Sequence, residues 1–137
     1  MAKILVVVDM QNDFIDGALG TPEAVAIVPY VKHLIETFDG KVLFTRDTHF
    51  ADYLSTQEGR NLPVTHCIKD TFGWQIHPEL ESLRKTEAID KLTFGSSALP
   101  AVLAKEESID SITFIGLCTD ICVISNAMGS FSMIPAE

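Results

Sequence analysis

Ile4-Leu5-Val6-Val7-Val8 constrains this chain more than any other stretch: a run of apolar, mostly β-branched residues with no polar alternation, stopped by Asp9. A strand with one wet face alternates apolar with polar residues, so a strand apolar throughout is covered on both faces, as at the centre of a helix-flanked parallel sheet. Parallel neighbours need a long crossover, usually helical. The next periodic segment supplies one: Pro22 to Phe38 carries Val28, Val31, Leu34, Ile35 and Phe38 at helical spacing, and Asp39-Gly40 stops it. Lys41 to Thr45 then makes a second strand that also runs into an acid, Asp47.

The same alternation continues. Thr48 to Pro78 has no sustained period but holds three histidines and Trp74, which marks a long functional loop region. Glu79 to Arg84 is predicted as a short helix, and Thr86 to Asp90 as a third strand just before Lys91. Ser96 or Ser97 can cap a helix through Glu107, with Pro100 in its first turn. Ser111 to Ile115 is the fourth strand, and Thr119 or Asp120 caps a helix carrying Cys122. This order predicts an α/β domain over residues 1–137: a doubly wound, mainly parallel sheet with helices on both faces and right-handed crossovers. Ligands gather at the carboxyl ends of such strands. Those ends carry Asp9, Asp47, Lys91 and the segment from Cys118 to Cys122.

Composition narrows the partners. A chain of 137 residues, 47% of them hydrophobic, can bury one proper core, and its formal charge of −9 argues against a nucleic-acid or anionic-membrane surface. A small-molecule partner fits better. Three unevenly spaced cysteines, without a basic and then apolar leader, place the chain in the reducing cytoplasm rather than among secreted disulfide scaffolds. No apolar run approaches the roughly 20 residues of a membrane span.

Several residues could carry chemistry. Cys122 would sit in the first turn of a helix, where free N–H groups and the dipole favour a thiolate; alternatively it packs as a small apolar side chain. A Cys118–Cys122 disulfide or a zinc site is poorly served by a strand-to-helix turn and by the lack of a second pair. Cys67, beside His66, is a rival nucleophile with a structural role as its alternative. Asp9 and Lys91 could flank Cys122 as acid and base, or form a salt bridge at the sheet rim. Asp47 and His49 stand two apart in extended chain and so point the same way, and His66 lies beyond a loop containing Glu58. Carboxylate with imidazole suits Zn, Mn or Fe, although loop histidines often bond only to backbone or water.

The motifs Asp9-Met10-Gln11-Asn12-Asp13-Phe14, Lys91 with Phe94, and Gly116-Leu117-Cys118-Thr119-Asp120-Ile121-Cys122-Val123 together resemble the isochorismatase-like cysteine hydrolases, the superfamily of nicotinamidase/pyrazinamidase. The match runs in order from Lys3 to about Met128. The resemblance implies Cys122 as nucleophile, Asp9 as general base and Lys91 as the cation stabilising the thiolate. It also implies a cis bond before Cys118, and an oxyanion hole made by the amides of Cys118 and Cys122. It further implies a divalent metal ion on Asp47, His49 and His66, with Glu58 as fourth candidate, contacting the ring nitrogen of a substrate walled by Phe14 and Trp74. The implied reaction is hydrolysis of a small carboxamide through a thioester. Hydrolysis of a vinyl ether, which would not need the metal set, and a catalytically silent assembly domain are the alternatives.

One departure from the resemblance concerns the end of the chain. With the strand order 3-2-1-4-5-6, a chain reaching only Glu137 is expected to lack its last two strands and to leave Ser111 to Ile115 at a bare edge. Such an edge invites pairing, so a homo-oligomer is expected.

Overall fold

The computed structural model describes residues 2–91, 103–104, 109–117 and 132–134. Its five strands are β1 (Ala2–Val8), β2 (Lys41–Asp47), β3 (Ile89–Lys91), β4 (Ile109–Gly116) and β5 (Ser132–Ile134). All pair in parallel, in the order β3-β2-β1-β4-β5. The helices are α1 (Asn12–Ile15), α2 (Pro22–Thr37), α3 (Gln57–Asn61) and α4 (Pro78–Glu81), with 3-10 turns at Tyr53–Ser55 and Phe72–Trp74.

β1 is central, as its unbroken apolar run requires, and Ile4, Leu5, Val6 and Val7 are fully buried. Alternate residues feed the two faces. Ile4, Val6 and Val8 join Leu43, Ile89, Leu103, Ile112 and Phe114 on one side. Leu5 and Val7 join Val28, Val31, Ile35, Phe44 and Leu80 on the other. Each such side chain contributes about 1.5–3 kcal/mol of burial, so a charge on either face of β1 would be destructive. α2 starts where Thr21 Oγ1 accepts from Ala24 N at 3.0 Å, with Pro22 in its first turn. Its buried residues Ala24, Val28, Val31 and Ile35 form the stripe that covers the sheet.

Register brings the strand ends level. Val8 lies opposite Thr45 and Gly116, and Asp47 opposite Lys91. The third strand begins at Ile89 rather than Thr86, because Thr86 instead sends its hydroxyl to the Val42 carbonyl at 3.2 Å. The short helix starts at Pro78, one residue earlier than expected, and beyond Glu81 continues only as turns to Arg84. The segment between β1 and α2, which shows no period in the sequence, contains the short α1. The predicted helix through Glu107 lies outside the described residues except for Leu103 and Ala104, and the helix carrying Cys122 lies wholly outside them. No helix among the described residues is long and apolar enough to cross a membrane.

The expectation of a bare β4 edge is corrected, and of the two strands expected to be missing one is present. Ser132–Ile134 forms β5 and pairs with Thr113, Phe114 and Ile115, in the place the strand order gives to a fifth strand. The tail lacks helical periodicity because three of its residues are extended.

Candidate active site and metal centre

Asp9 leaves β1 in the left-handed region, at φ 53°, a conformation that costs a non-glycine residue energy and is held only by its surroundings. Here β2 does the holding. The Asp9 N–H donates to the Thr45 carbonyl at 3.3 Å and to Thr45 Oγ1 at 3.1 Å, and Thr45 Oγ1 donates back to Asp9 Oδ1 at 2.7 Å. Lys91, at the end of β3, reaches across β2 and donates from Nζ to Asp9 Oδ2 at 2.8 Å. Both side chains are almost completely enclosed, at 2% and 4% exposure. This is no rim salt bridge. Burial pushes the Asp9 carboxyl above its ordinary value; Lys91 pulls it back, and the charge of Asp47 adds to the rise. The pair can therefore hold or release a proton in a dry setting.

Asp47, His49 and His66 converge beside it, and their ligand atoms all lie within 4.8 Å of one another. Asp47 Oδ2 is 3.0 Å from His49 Nε2 and 3.6 Å from His66 Nε2. His66 Nδ1 bonds to the Val64 carbonyl at 2.7 Å, which fixes the ring and directs Nε2 into the cluster. Burial alone would raise the Asp47 carboxyl, but hydrogen bonds from His49 and His66, with the charges of His49 and Lys91, hold it well below the usual carboxylate range. Glu58, half in solvent, lies at the rim with Oε2 at 3.7 Å from His49 Nε2. The three converging residues fit the predicted ligand set, and Glu58 stands outside that tight group.

The loop region is ordered around this cluster. The His49 N–H donates to the Cys67 carbonyl at 2.9 Å and the Lys69 N–H to the His49 carbonyl at 2.9 Å, so β2 is prolonged by one bridge that sets His49 beside His66. Cys67 is itself left-handed, at φ 50°, and its N–H is held by Asp13 Oδ2 at 2.7 Å. Its thiol is buried, and that burial, with the carboxylates of Asp47, Asp13 and Asp9, pushes it far above the ordinary value. Burial and these neighbouring carboxylates disfavour a Cys67 thiolate, which suits a structural side chain better than a nucleophile.

Phe14 packs edge-on to His66 with centroids 5.4 Å apart, which puts it at the cluster. Trp74 is buried, donates from Nε1 to Thr48 Oγ1 at 3.0 Å and lies under the Arg46 guanidinium at 3.9 Å. Three contributors escaped sequence reasoning. Tyr53 packs its ring 4.6 Å from His49 and 5.0 Å from His66. Thr45 clasps Asp9, and Gln11 bonds the main chain of Asp47. Only Gln11 carried a signal, as a polar residue inside the quoted motif.

Gly116 ends β4 at φ 146°, and a Cβ there would run into the Val8 carbonyl oxygen. The Leu117 N–H donates to that oxygen at 3.2 Å, so the chain leaves β4 against the strand that delivers Asp9. Cys118, Cys122, the bond preceding Cys118, and Phe94 lie outside the described residues.

This fold and site define a class. The isochorismatase domain profile matches residues 3–132, and the chain belongs to that family, the isochorismatase-like hydrolases. Within it the chain is nicotinamidase-like. It is 25% identical over 176 residues to the nicotinamidase of Saccharomyces cerevisiae, spanning 93% of this chain and 81% of that one. Similarity to the nicotinamidase/pyrazinamidase of Mycobacterium tuberculosis is 26% over 146 residues, spanning 91% and 76%. The crystal structure of N-carbamoylsarcosine amidase from Thermoplasma acidophilum matches with a TM-score of 0.75 and 29% identity, over 98% of this chain and 82% of the other.

Proposed function

We propose that this chain hydrolyses a small carboxamide of the nicotinamide kind to the acid and ammonia, through a thioester on Cys122. The observation that carries the proposal is the meeting of a buried Asp9–Lys91 pair with an Asp47–His49–His66 cluster at one end of the sheet. A vinyl-ether hydrolase has no need of the second.

Asp9 takes the proton from the Cys122 sulfur, and the thiolate forms a bond to the amide carbon. The amides of Cys118 and Cys122 receive the oxyanion. Lys91 keeps a positive charge beside Asp9, favouring thiolate over thiol. As the carbon–nitrogen bond breaks, Asp9 returns its proton and ammonia leaves. Water then loses a proton to Asp9 and attacks the thioester carbon; the carbon–sulfur bond breaks, and the thiolate recovers the proton. The acid is released. Phe14 and Trp74 would wall a flat ring.

The donor set suits a divalent ion: one carboxylate with a depressed pKa and two imidazoles, one of them oriented by a backbone carbonyl. Asp47, His49 and His66 would hold it, with Glu58 near enough to join. When bound, such an ion supplies a Lewis-acidic anchor for a ring nitrogen of the substrate. Zn, Mn and Fe all suit these ligands. A catalytic thiolate also suits a reducing compartment such as the cytoplasm.

The test is ammonia release from nicotinamide, pyrazinamide and other small amides, with isochorismate as a parallel substrate, by the unchanged chain and by Cys122→Ala. The expected result is amide turnover abolished by Cys122→Ala, and an acyl adduct on Cys122 in rapidly quenched digests. Turnover of isochorismate alone, or amide turnover that survives Cys122→Ala, would overturn the proposal.

A further inference from the structure

We infer that Gln11 is a positioning residue of the metal centre, holding the main chain of Asp47 so that its carboxylate meets His49 and His66. The inference rests on the reading of that cluster as a divalent-metal site. The pairing of β1 with β2 ends at Val8 opposite Thr45, whereas β3 still pairs with Asp47 through Lys91. Asp47 therefore stands past the last β1 partner on that side. The Gln11 side chain fills the place of the departed strand. Its Oε1 accepts from the Asp47 N–H at 2.8 Å, and its Nε2 donates to the Asp47 carbonyl at 2.9 Å. Both ends of one amide are thus committed to one residue, as a paired strand would commit its backbone.

The remaining Nε2 hydrogen goes to the Trp74 carbonyl at 2.7 Å, which fixes the plane of the amide from a second direction. Gln11 is fully buried. A side chain needed only to fill that volume would be apolar, because enclosing an amide is unfavourable unless every bond is made. The hydrogen bonds act at the point where a small rotation of Asp47 moves Oδ2 away from His49 Nε2, now 3.0 Å distant. Partners that orient ligands typically alter metal affinity by about 10–100-fold when removed.

A merely structural glutamine would change stability and leave the metal affinity of the folded protein alone. The experiment titrates Co(II) into metal-free protein and reads the visible absorption bands, with far-UV circular dichroism as the check on folding. Asp47→Ala should lose the site. Gln11→Leu should bind about 10–100-fold more weakly. Gln11→Glu keeps the acceptor for the Asp47 N–H but sets a carboxyl oxygen against the two carbonyls, so it too should bind more weakly. It also supplies the reading if Gln11→Leu does not fold. Folded Gln11 variants that bind Co(II) as tightly as the unchanged chain, while Asp47→Ala does not, would overturn the inference and leave the metal reading intact. Failure of the unchanged chain to bind, or full binding by Asp47→Ala, would overturn the metal reading and the inference together.

Discussion

Lys91 Nζ lies 2.8 Å from Asp9 Oδ2, joining residues 82 apart in sequence inside the protein. Removing one member of such a buried pair leaves an uncompensated charge and costs about 3–5 kcal/mol. Lys91→Met should show that loss in denaturant unfolding. It should also move the acidic limb of the activity profile to higher pH, since Lys91 is the group that draws the Asp9 carboxyl down against burial. The double variant Asp9→Asn with Lys91→Met should regain much of the stability and none of the activity. Additive losses in the double variant would show that the two residues do not act as a pair.

The metal cluster should respond to pH in two opposite ways. Asp47 lies below its ordinary 3.8 in the folded chain; burial draws His66 down, but the bonds to Asp47 and the Val64 carbonyl leave it above its ordinary 6.5. In metal-free protein both are therefore charged between those two values. The stability this gives is lost as pH falls below 3.8 toward the lowered Asp47 value, and as pH rises past 6.5 through the raised His66 value. Metal binding requires His66 without that proton, so affinity should climb with pH where the apo pairing weakens, by up to about tenfold per pH unit for one proton released. Co(II) titrations across that range should show the climb, and His66→Ala should flatten it.

Gly116 should not accept a side chain. Its φ of 146° and its approach to the Val8 carbonyl leave no room for a Cβ, and strain of this kind costs about 1–3 kcal/mol. Gly116→Ala should lower stability by that order. It should lower kcat more than it raises KM, because Gly116 directly precedes in sequence the segment that carries Cys118 and Cys122. Unchanged unfolding and unchanged kcat would count against the close approach.

The central strand, its neighbour β2 and α2 were legible because their signals are local: an apolar run, a helical period, a cap. Asp47 and His49 were legible because alternation along a strand puts them on one side. Tyr53 and Thr45 were not, since Tyr53 reaches the histidines through a loop of turns, and Thr45 is one more β-branched residue in a strand until Asp9 folds back on it. The Asp9–Lys91 contact was readable as a salt bridge at the sheet rim but not as an enclosed one, because nothing local says that β3 sits two strands from β1 with β2 between them. The tail misled for the opposite reason. Three extended residues are too few to show a period, yet enough to pair with a neighbour already in place.

That pairing yields the last prediction. β5 covers β4 at Thr113, Phe114 and Ile115, and Phe114 and Ile115 are buried, so this part of the β4 edge is satisfied within the chain. Unpaired N–H and C=O groups on an apolar strand are what draw a second copy into contact. A chain shortened to end at Met128 loses Ser132–Ile134 and should expose that edge. Light scattering at micromolar concentration should then show the shortened chain associating and the unchanged chain not doing so through this strand. Amide hydrogen exchange should locate the difference, with the Phe114 amide, opposite Met133 of β5, losing protection in dilute shortened protein and regaining it on association. Equal scattering and equal protection in both chains would mean that β5 contributes nothing to covering the sheet.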